Sequence, residues 1–309
     1  MKKIIIIGCG AISQKHHIPS LLKNSAQILL CDKNPDVLDA KLKKYPFSTN
    51  FMDFLNEADG ALIATNHTSH FKIAKNLAEN NVNVLIEKPI TTSLDDCKQL
   101  IKFENKISVG AGYFRRYVKN FNLLKEIIQN HKLGVVKKIE IEEGGVYGWP
   151  AMSNAFWKKE SSGGGVLMDT GSHSIDLVHF LLGKKLQLIK YEDDALDGIE
   201  VNCEIQLQCE DIAISIELTR NKPTLNQLKV YFENFYLTFN ITNGELVENN
   251  LENEEFQFSA AEYPDDTFYN QISIWLDSFT NPDNKLVKAS CVKDTVELIE
   301  DCYNFKKNV

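Results

Sequence analysis

The stretch KIIIIGCGAIS, residues 3–13, decides the fold. Lys3–Ile7 is an unbroken isoleucine run that ends on Gly8-Cys9-Gly10-Ala11-Ile12-Ser13. A run without period-two alternation describes a strand buried on both faces, as in a parallel sheet covered by helices. The turn that follows reads G-x-G-x-x-G with serine in the third place. Gly8 permits the tight turn, and Gly10 lets backbone N–H groups approach a pyrophosphate. That anion would rest on the N-terminus of the next helix, at Ala11 and Ile12, where unpaired donors and the helix dipole favour it. Ser13 is small enough for close helix–strand packing.

Four more apolar runs follow, Ile28–Cys31, Ala61–Ala64, Val82–Ile86 and Ile107–Val109, with helical patterns near 11–24, 36–44, 69–80 and 93–104. Ser93 is placed to cap the last of these. Strands alternating with helices imply right-handed crossovers and a doubly wound parallel sheet. The second run ends at Asp32, 22 residues beyond Gly10. An acid there accepts hydrogen bonds from both adenosine ribose hydroxyls and repels a 2′-phosphate, so NAD is expected over NADP. Lys33 is the neighbour that could offset this preference. The third run ends at Thr65 and Asn66, which should flank the cofactor because strand carboxyl ends line the ligand crevice. His67 and His70 suit a helix start, and His70 is also a candidate cofactor contact. The fourth run stops abruptly on Glu87-Lys88-Pro89, an acid, a base and an imino acid delivered to the same crevice.

Beyond about residue 135 the pattern changes to period two. Apolar residues alternate with polar ones through Ile199–Cys209, Ile212–Leu218, Leu228–Phe232 and Phe235–Ile241. These read as half-buried antiparallel strands. A helical stretch, Thr170–Leu182, ends at Gly183, and apolar-periodic segments lie at Phe268–Phe279 and near 287–304; 244–255 reads as a loop or hairpin end. The expected division is a dinucleotide-binding domain over 1–114 and an α+β domain with one open, mostly antiparallel sheet over 115–309.

Bulk properties narrow the function. The chain has 309 residues, 43% of them hydrophobic and 25% charged, with a net charge of −8. That balance leaves no electrostatic footprint for nucleic acid or an anionic membrane. No run approaches the roughly 18 apolar residues that cross a bilayer, and the apolar run of the opening segment is too short for a secretion signal. Seven cysteines without a C-x-x-C pair suggest buried thiols in a reducing cytoplasm, with neither zinc nor disulfides.

The densest chemical signal of the second half is Ser161-Ser162-Gly163-Gly164-Gly165-Val166-Leu167-Met168-Asp169-Thr170-Gly171-Ser172-His173-Ser174-Ile175-Asp176. On a helix, Asp169, His173 and Asp176 share one face at i, i+4 and i+7. Two acids and an imidazole on an otherwise apolar helix are costly to bury, and suit either a proton relay or a structural His–Asp pair; too few ligands share the face for a metal. GCGAIS, ATNHTSH, EKP and GGGVLMDTGSHSIDL, in that order, resemble the glucose–fructose oxidoreductase / myo-inositol dehydrogenase (Gfo/Idh/MocA) family of NAD(P)-dependent sugar oxidoreductases.

The resemblance spans nearly the whole chain and departs from the family pattern at Ser13 and Asn66. It implies an N-terminal Rossmann domain and a C-terminal open sheet whose outer face makes a homodimer or homotetramer. It also implies that Lys88 is the lysine of the EKP motif, that Asp169 orients the substrate and that His173 moves the proton. The expected reaction is hydride transfer between nicotinamide C4 and a secondary carbinol carbon of a sugar, polyol or nucleotide-linked sugar. Lys88 would favour the developing alkoxide, and Glu87 would pair with a cation or the nicotinamide ribose. Aromatic Tyr147 and Trp149 suit a sugar face, and Arg116, beside Arg115, suits a phosphate or carboxylate. An NAD-recycling glycosidase and a non-catalytic dinucleotide-binding regulator are the competing functions on the same scaffold.

Overall fold

The computed structural model describes residues 1–146, 148, 150, 157–195, 198–251 and 256–307. In chain order its first strands are β1 Lys3–Ile7, β2 Gln27–Cys31, β3 Phe47–Ser48, β4 Gly60–Ile63, β5 Asn83–Glu87 and β6 Val109–Gly112. The later ones are β7 Val136–Gly144, β8 Gln187–Asp193, β9 Asn202–Cys209, β10 Ile212–Thr219, β11 Gln227–Phe232, β12 Tyr236–Asn240 and β13 Leu246–Asn249. The helices are α1 Ile18–Lys23, α2 His70–Glu79, α3 Leu94–Ile101, α4 Lys119–Gln129, α5 Lys159–Ser162, α6 Ser172–Leu182, α7 Pro264–Asp277 and α8 Lys293–Lys307. By packing, one unit comprises Met1–Tyr113, Trp149–Gly163 and Pro264–Lys293, and the other Phe114–Gly148, Gly164–Tyr263 and Asp294–Val309.

In the first unit a six-stranded parallel sheet runs in the order β3-β2-β1-β4-β5-β6. Ile4, Ile5 and Ile6 of the central strand are fully buried, as an isoleucine run without alternation demands. Register aligns the strand ends: Ile7 pairs with Cys31 on one side and Ile63 on the other, and Ile63 pairs with Ile86. The residues that follow these strands therefore emerge along one carboxyl edge. Helix α7 returns to this unit late in the sequence, and its Ile272, Trp275 and Leu276 join the core built on β1 and β2. The sheet's last edge is covered too, because the Ala111 N–H donates to the Val287 carbonyl at 2.7 Å.

One expected helix is absent. Residues 36–44 form only short 3₁₀ turns, Pro35–Val37 and Ala40–Leu42. The reason lies in the backbone hydrogen bonds: the Val37 carbonyl and the Asp39 N–H, both needed by a helical ladder, go instead to the Gln14 side chain. Conversely, α4 and the two-residue β3 go unanticipated by the periodic patterns.

The second unit holds a seven-stranded sheet, β13-β12-β11-β7-β10-β9-β8. It is antiparallel except where β7 runs parallel to β10. The expected open, mostly antiparallel sheet is thus present. Its inward rows, such as Cys203, Ile205 and Leu207 on β9, pack with Ile175, Leu177, Val178 and Leu181 of α6 in one core. Among the described residues no helix is long and apolar enough to cross a membrane.

Candidate active site

The carboxyl edge of the parallel sheet gathers the sequence-predicted cofactor residues of the first unit, His70 excepted. Gly8 adopts φ +92°, and a Cβ there would lie 2.4 Å from the Ala64 carbonyl oxygen, so the turn after β1 admits only glycine where it passes the end of β4. At Gly10 a Cβ would meet nothing within 4 Å, which leaves open space beside the turn. Ser13 settles its third-position role by donating its hydroxyl to the Gly8 carbonyl at 2.6 Å. Ala11 and Ile12 lead into a π-helical turn, Ser13–His17, ahead of α1. Asp32 accepts the Cys9 N–H at 2.8 Å and the Asn34 N–H at 2.9 Å. Burial, and then the Asp32 charge, push the Cys9 thiol up to about 12, so it is inert.

After β4, the Thr65 and Ser69 hydroxyls lie 2.7 Å apart, and the Ser69 hydroxyl also lies 2.8 Å from the Asn66 amide oxygen. Thr65 is half-buried and Asn66 exposed. His70 is not on the open edge where the sequence suggests a cofactor contact. It is fully buried, with its ring nitrogens 2.8 Å from the Pro89 carbonyl oxygen and 3.1 Å from that of Thr65. A neutral imidazole carries one N–H, so it donates to one of the two and ties the loops after β4 and β5 together from behind.

At the end of β5, Glu87 sits 2.7 Å from Nε2 of His17 and accepts the Lys88 N–H at 3.0 Å. Burial alone would push the Glu87 carboxyl up. The His17 hydrogen bond and charge, with Lys88, outweigh it and hold the carboxyl below 4.5. The side chain that Glu87 finds is thus His17, a residue the sequence patterns do not flag. Lys88 is half-buried, and the Lys88–Pro89 bond is cis.

In the second unit the glycine-rich turn opens the segment that carries Asp169 and His173. It is not an anion cradle, because a side chain already fills it. Glu200 Oε1 accepts the N–H groups of Gly165 at 2.8 Å and Leu167 at 3.0 Å, and the Tyr303 hydroxyl at 2.8 Å. Cβ atoms at Gly164 and Gly165 would lie 2.0 Å from the Tyr303 hydroxyl and 1.9 Å from the Glu200 carbonyl, which explains the glycines. Leu167–Gly171 then forms a π-helical turn, so Asp169 and His173 are not related by the regular α spacing expected of them.

Every acid of the predicted face has a cationic partner. Asp169 accepts from Nη2 of Arg220 at 2.8 Å, with side chains 16% and 3% exposed respectively. Asp176 is held by both arms of Arg116, at 2.9 and 2.7 Å. The Arg116 fork, expected at substrate, is therefore engaged in an internal ion pair. Its neighbour Arg115 binds Glu143, which also accepts the Ser174 hydroxyl at 2.6 Å. The buried His173 ring packs T-shaped with Phe114, ring centroids 5.1 Å apart. Buried ion pairs of this kind are costly unless fully hydrogen-bonded, and here they anchor successive positions of one helix. Tyr147 and Trp149 lie outside the described residues.

Arg220 and Glu143 were legible by parity. Ile212, Ile214, Ile216 and Leu218 form the inward row of β10, and Arg220 continues it; Ile139 and Ile141 do the same for Glu143 on β7. A charge on an inward row must find a partner. No such local signal marks Glu200 or Gln14.

Residues 2–115 match the description "Oxidoreductase family, NAD-binding Rossmann fold", and residues 121–238 match "GFO/IDH/MocA C-terminal domain". Glucose-6-phosphate 3-dehydrogenase of Bacillus subtilis (strain 168) is 29% identical over 193 residues, 59% of this chain and 54% of that protein. Inositol 2-dehydrogenase of Salmonella typhimurium (strain LT2) is 26% identical over 196 residues, 60% and 56% of the two chains. The chain thus spans little more than half the length of these curated relatives. The WlbA dehydrogenase of Bordetella pertussis, solved in complex with NADH and UDP-GlcNAcA, shares the fold. Its TM-score is 0.81 at 20% identity, over 99% of this chain and 96% of that one.

Proposed function

Because the chain belongs to the Gfo/Idh/MocA oxidoreductase family, we propose that it oxidises or reduces a secondary carbinol/ketone carbon of a sugar, polyol or nucleotide-linked sugar, with NAD preferred over NADP. One observation carries this reading. The register of β1, β4 and β5 sets the glycine turn, Thr65 and Lys88 along a single sheet edge. The residues fit a dinucleotide: open space faces Gly10, and both Asp32 oxygens are oriented by backbone N–H groups. When bound, NAD supplies the hydride-accepting nicotinamide.

Lys88 donates a hydrogen bond to the reacting oxygen and favours the developing alkoxide. His173 takes the hydroxyl proton in the oxidising direction and returns it in the reducing one. Asp169, oriented by Arg220, accepts from a substrate hydroxyl. Tyr147 and Trp149 offer apolar faces to the sugar ring. The Arg116 fork is assigned to Asp176 rather than to substrate. The assembly is a homodimer or homotetramer through the outer face of the second-unit sheet.

The test is a panel of sugars and polyols, free and nucleotide-linked, incubated with NAD or NADP while reduced cofactor is followed by absorbance. Net NADH formation with at least one of them is expected. Glycoside cleavage without net NADH would assign the chain to the NAD-recycling glycosidases. Saturable NAD binding with no turnover would make it a regulator.

A further inference from the structure

The backbone of Cys9, between the two glycines of the turn, is gripped on both sides. Its N–H donates to Asp32 Oδ2 at 2.8 Å, and its carbonyl accepts from Nε2 of Gln14 at 2.7 Å. The same Gln14 nitrogen donates to the Val37 carbonyl at 2.8 Å, and Gln14 Oε1 accepts the Asp39 N–H at 3.3 Å. Asp32 in turn accepts the Asn34 N–H at 2.9 Å. Two side chains therefore act as parallel struts between the glycine turn and the 32–39 segment. Gln14 is half-buried and its amide is matched donor to acceptor on all three backbone groups.

We propose that Gln14 is a specificity-determining residue for the dinucleotide, acting by holding residues 37–39 against the glycine turn behind Asp32. The inference rests on the reading of Asp32 as the ribose ligand. Each Asp32 oxygen spends one lone pair on a backbone N–H and keeps another for a ribose hydroxyl. A 2′-phosphate would meet the Asp32 carboxylate, and accommodating it requires residues 33–39 to shift outward so that the exposed Lys33 can pair with it. The Gln14 bonds to Val37 and Asp39 oppose that movement. Gln14 itself touches no cofactor atom and is a positioning residue, so it acts on the NADH/NADPH ratio rather than on dinucleotide binding at large.

The experiment is a fluorescence titration of the full chain with NADH and with NADPH. The proteins are wild type, Gln14→Met, Asp32→Ser and the double variant. Gln14→Met keeps the volume and removes the hydrogen bonds. It should weaken NADH roughly 5- to 20-fold, the worth of the two hydrogen bonds to Val37 and Asp39, leave NADPH unchanged or tighter, and so collapse the ratio. In the Asp32→Ser background the same substitution should leave the ratio unchanged within about twofold, because the two residues act as one unit. A second variant guards against misfolding. Asp39 has φ −54° and ψ 148°, values proline adopts freely, so Asp39→Pro, read against Asp39→Ala, which loses the same carboxylate, isolates the N–H that Gln14 accepts. It should lower the ratio in the same direction, by roughly 2- to 5-fold. Equal loss of both dinucleotides in Gln14→Met, or an unchanged ratio in both Gln14→Met and Asp39→Pro, overturns the proposal while a ratio abolished by Asp32→Ser leaves the Asp32 reading intact. A wild type without preference overturns the Asp32 reading itself, and this inference with it.

Discussion

Lys88 and His173 carry the chemistry of the proposed reaction, and each has its own expected signature. Lys88→Ala should lower kcat by roughly 10²- to 10³-fold, as for loss of one preorganised donor, with NAD affinity little changed. His173→Ala should cost roughly 10²- to 10⁴-fold and flatten the pH–rate profile near neutrality. Stable variants that bind NAD and turn over at the wild-type rate would remove both residues from the mechanism. His70 makes a different prediction, about stability. Burial lowers its pKa below 6.5, against the pull of the Pro89 and Thr65 carbonyls and of Glu87. The unfolded chain therefore takes up a proton near pH 6.5 that the folded protein resists. Its contribution is complete above that pH and is lost as pH falls below it. Urea midpoints should decline between about pH 6.5 and pH 5, and His70→Gln should flatten part of that slope. An identical slope in the variant would count against His70 as its source.

At the scale of an element, the turn and helix from Gly163 to Leu182 show why a glycine-rich motif cannot be read alone. Two of its three glycines, Gly164 and Gly165, are there to let Tyr303 and Glu200 approach the backbone. Glu200, 2% exposed, stands in for the anion and satisfies helix-start donors that would otherwise be buried and unpaired. Glu200→Ala should destabilise the protein by about 3 kcal/mol or more, since each orphaned buried donor costs about 1–3 kcal/mol. Glu200→Gln, which keeps an acceptor oxygen, should recover most of this in urea unfolding. If the two variants unfold alike, charge rather than hydrogen bonding is what the turn needs. The first unit repeats the pattern in the 32–39 segment, where apolar residues at helical spacing fail to make a helix because Gln14 takes the backbone groups of Val37 and Asp39.

For the whole molecule, the outer face of the second-unit sheet bears on assembly. Tyr231 donates to Glu140 at 2.6 Å and Tyr236 to Glu248 at 2.9 Å, with the Lys229 ammonium 4.3 Å from the Tyr236 ring centroid. Thr238, between Lys229 and Glu248 in register, is only 1% exposed. Light scattering at micromolar protein should give the mass of two or four 35.1 kDa chains, and Tyr236→Asp should shift it toward one. A wild-type monomer would end the proposal. The sequence by itself determined the parallel sheet, the period-two sheet and the strand ends bearing Gly8, Asp32, Thr65 and Lys88, because burial on one face or two is written in local periodicity. Arg220 and Glu143 were missed, although the parity of their strands carries the signal that a charge falls on an inward row. Tertiary structure alone decided the partner of each charge and the return of α7 to the first unit's core. Those choices join residues as far apart as Asp169 and Arg220, or Arg116 and Asp176. Such pairings depend on strand register and helix placement, and no window of sequence short enough to show a period contains both partners.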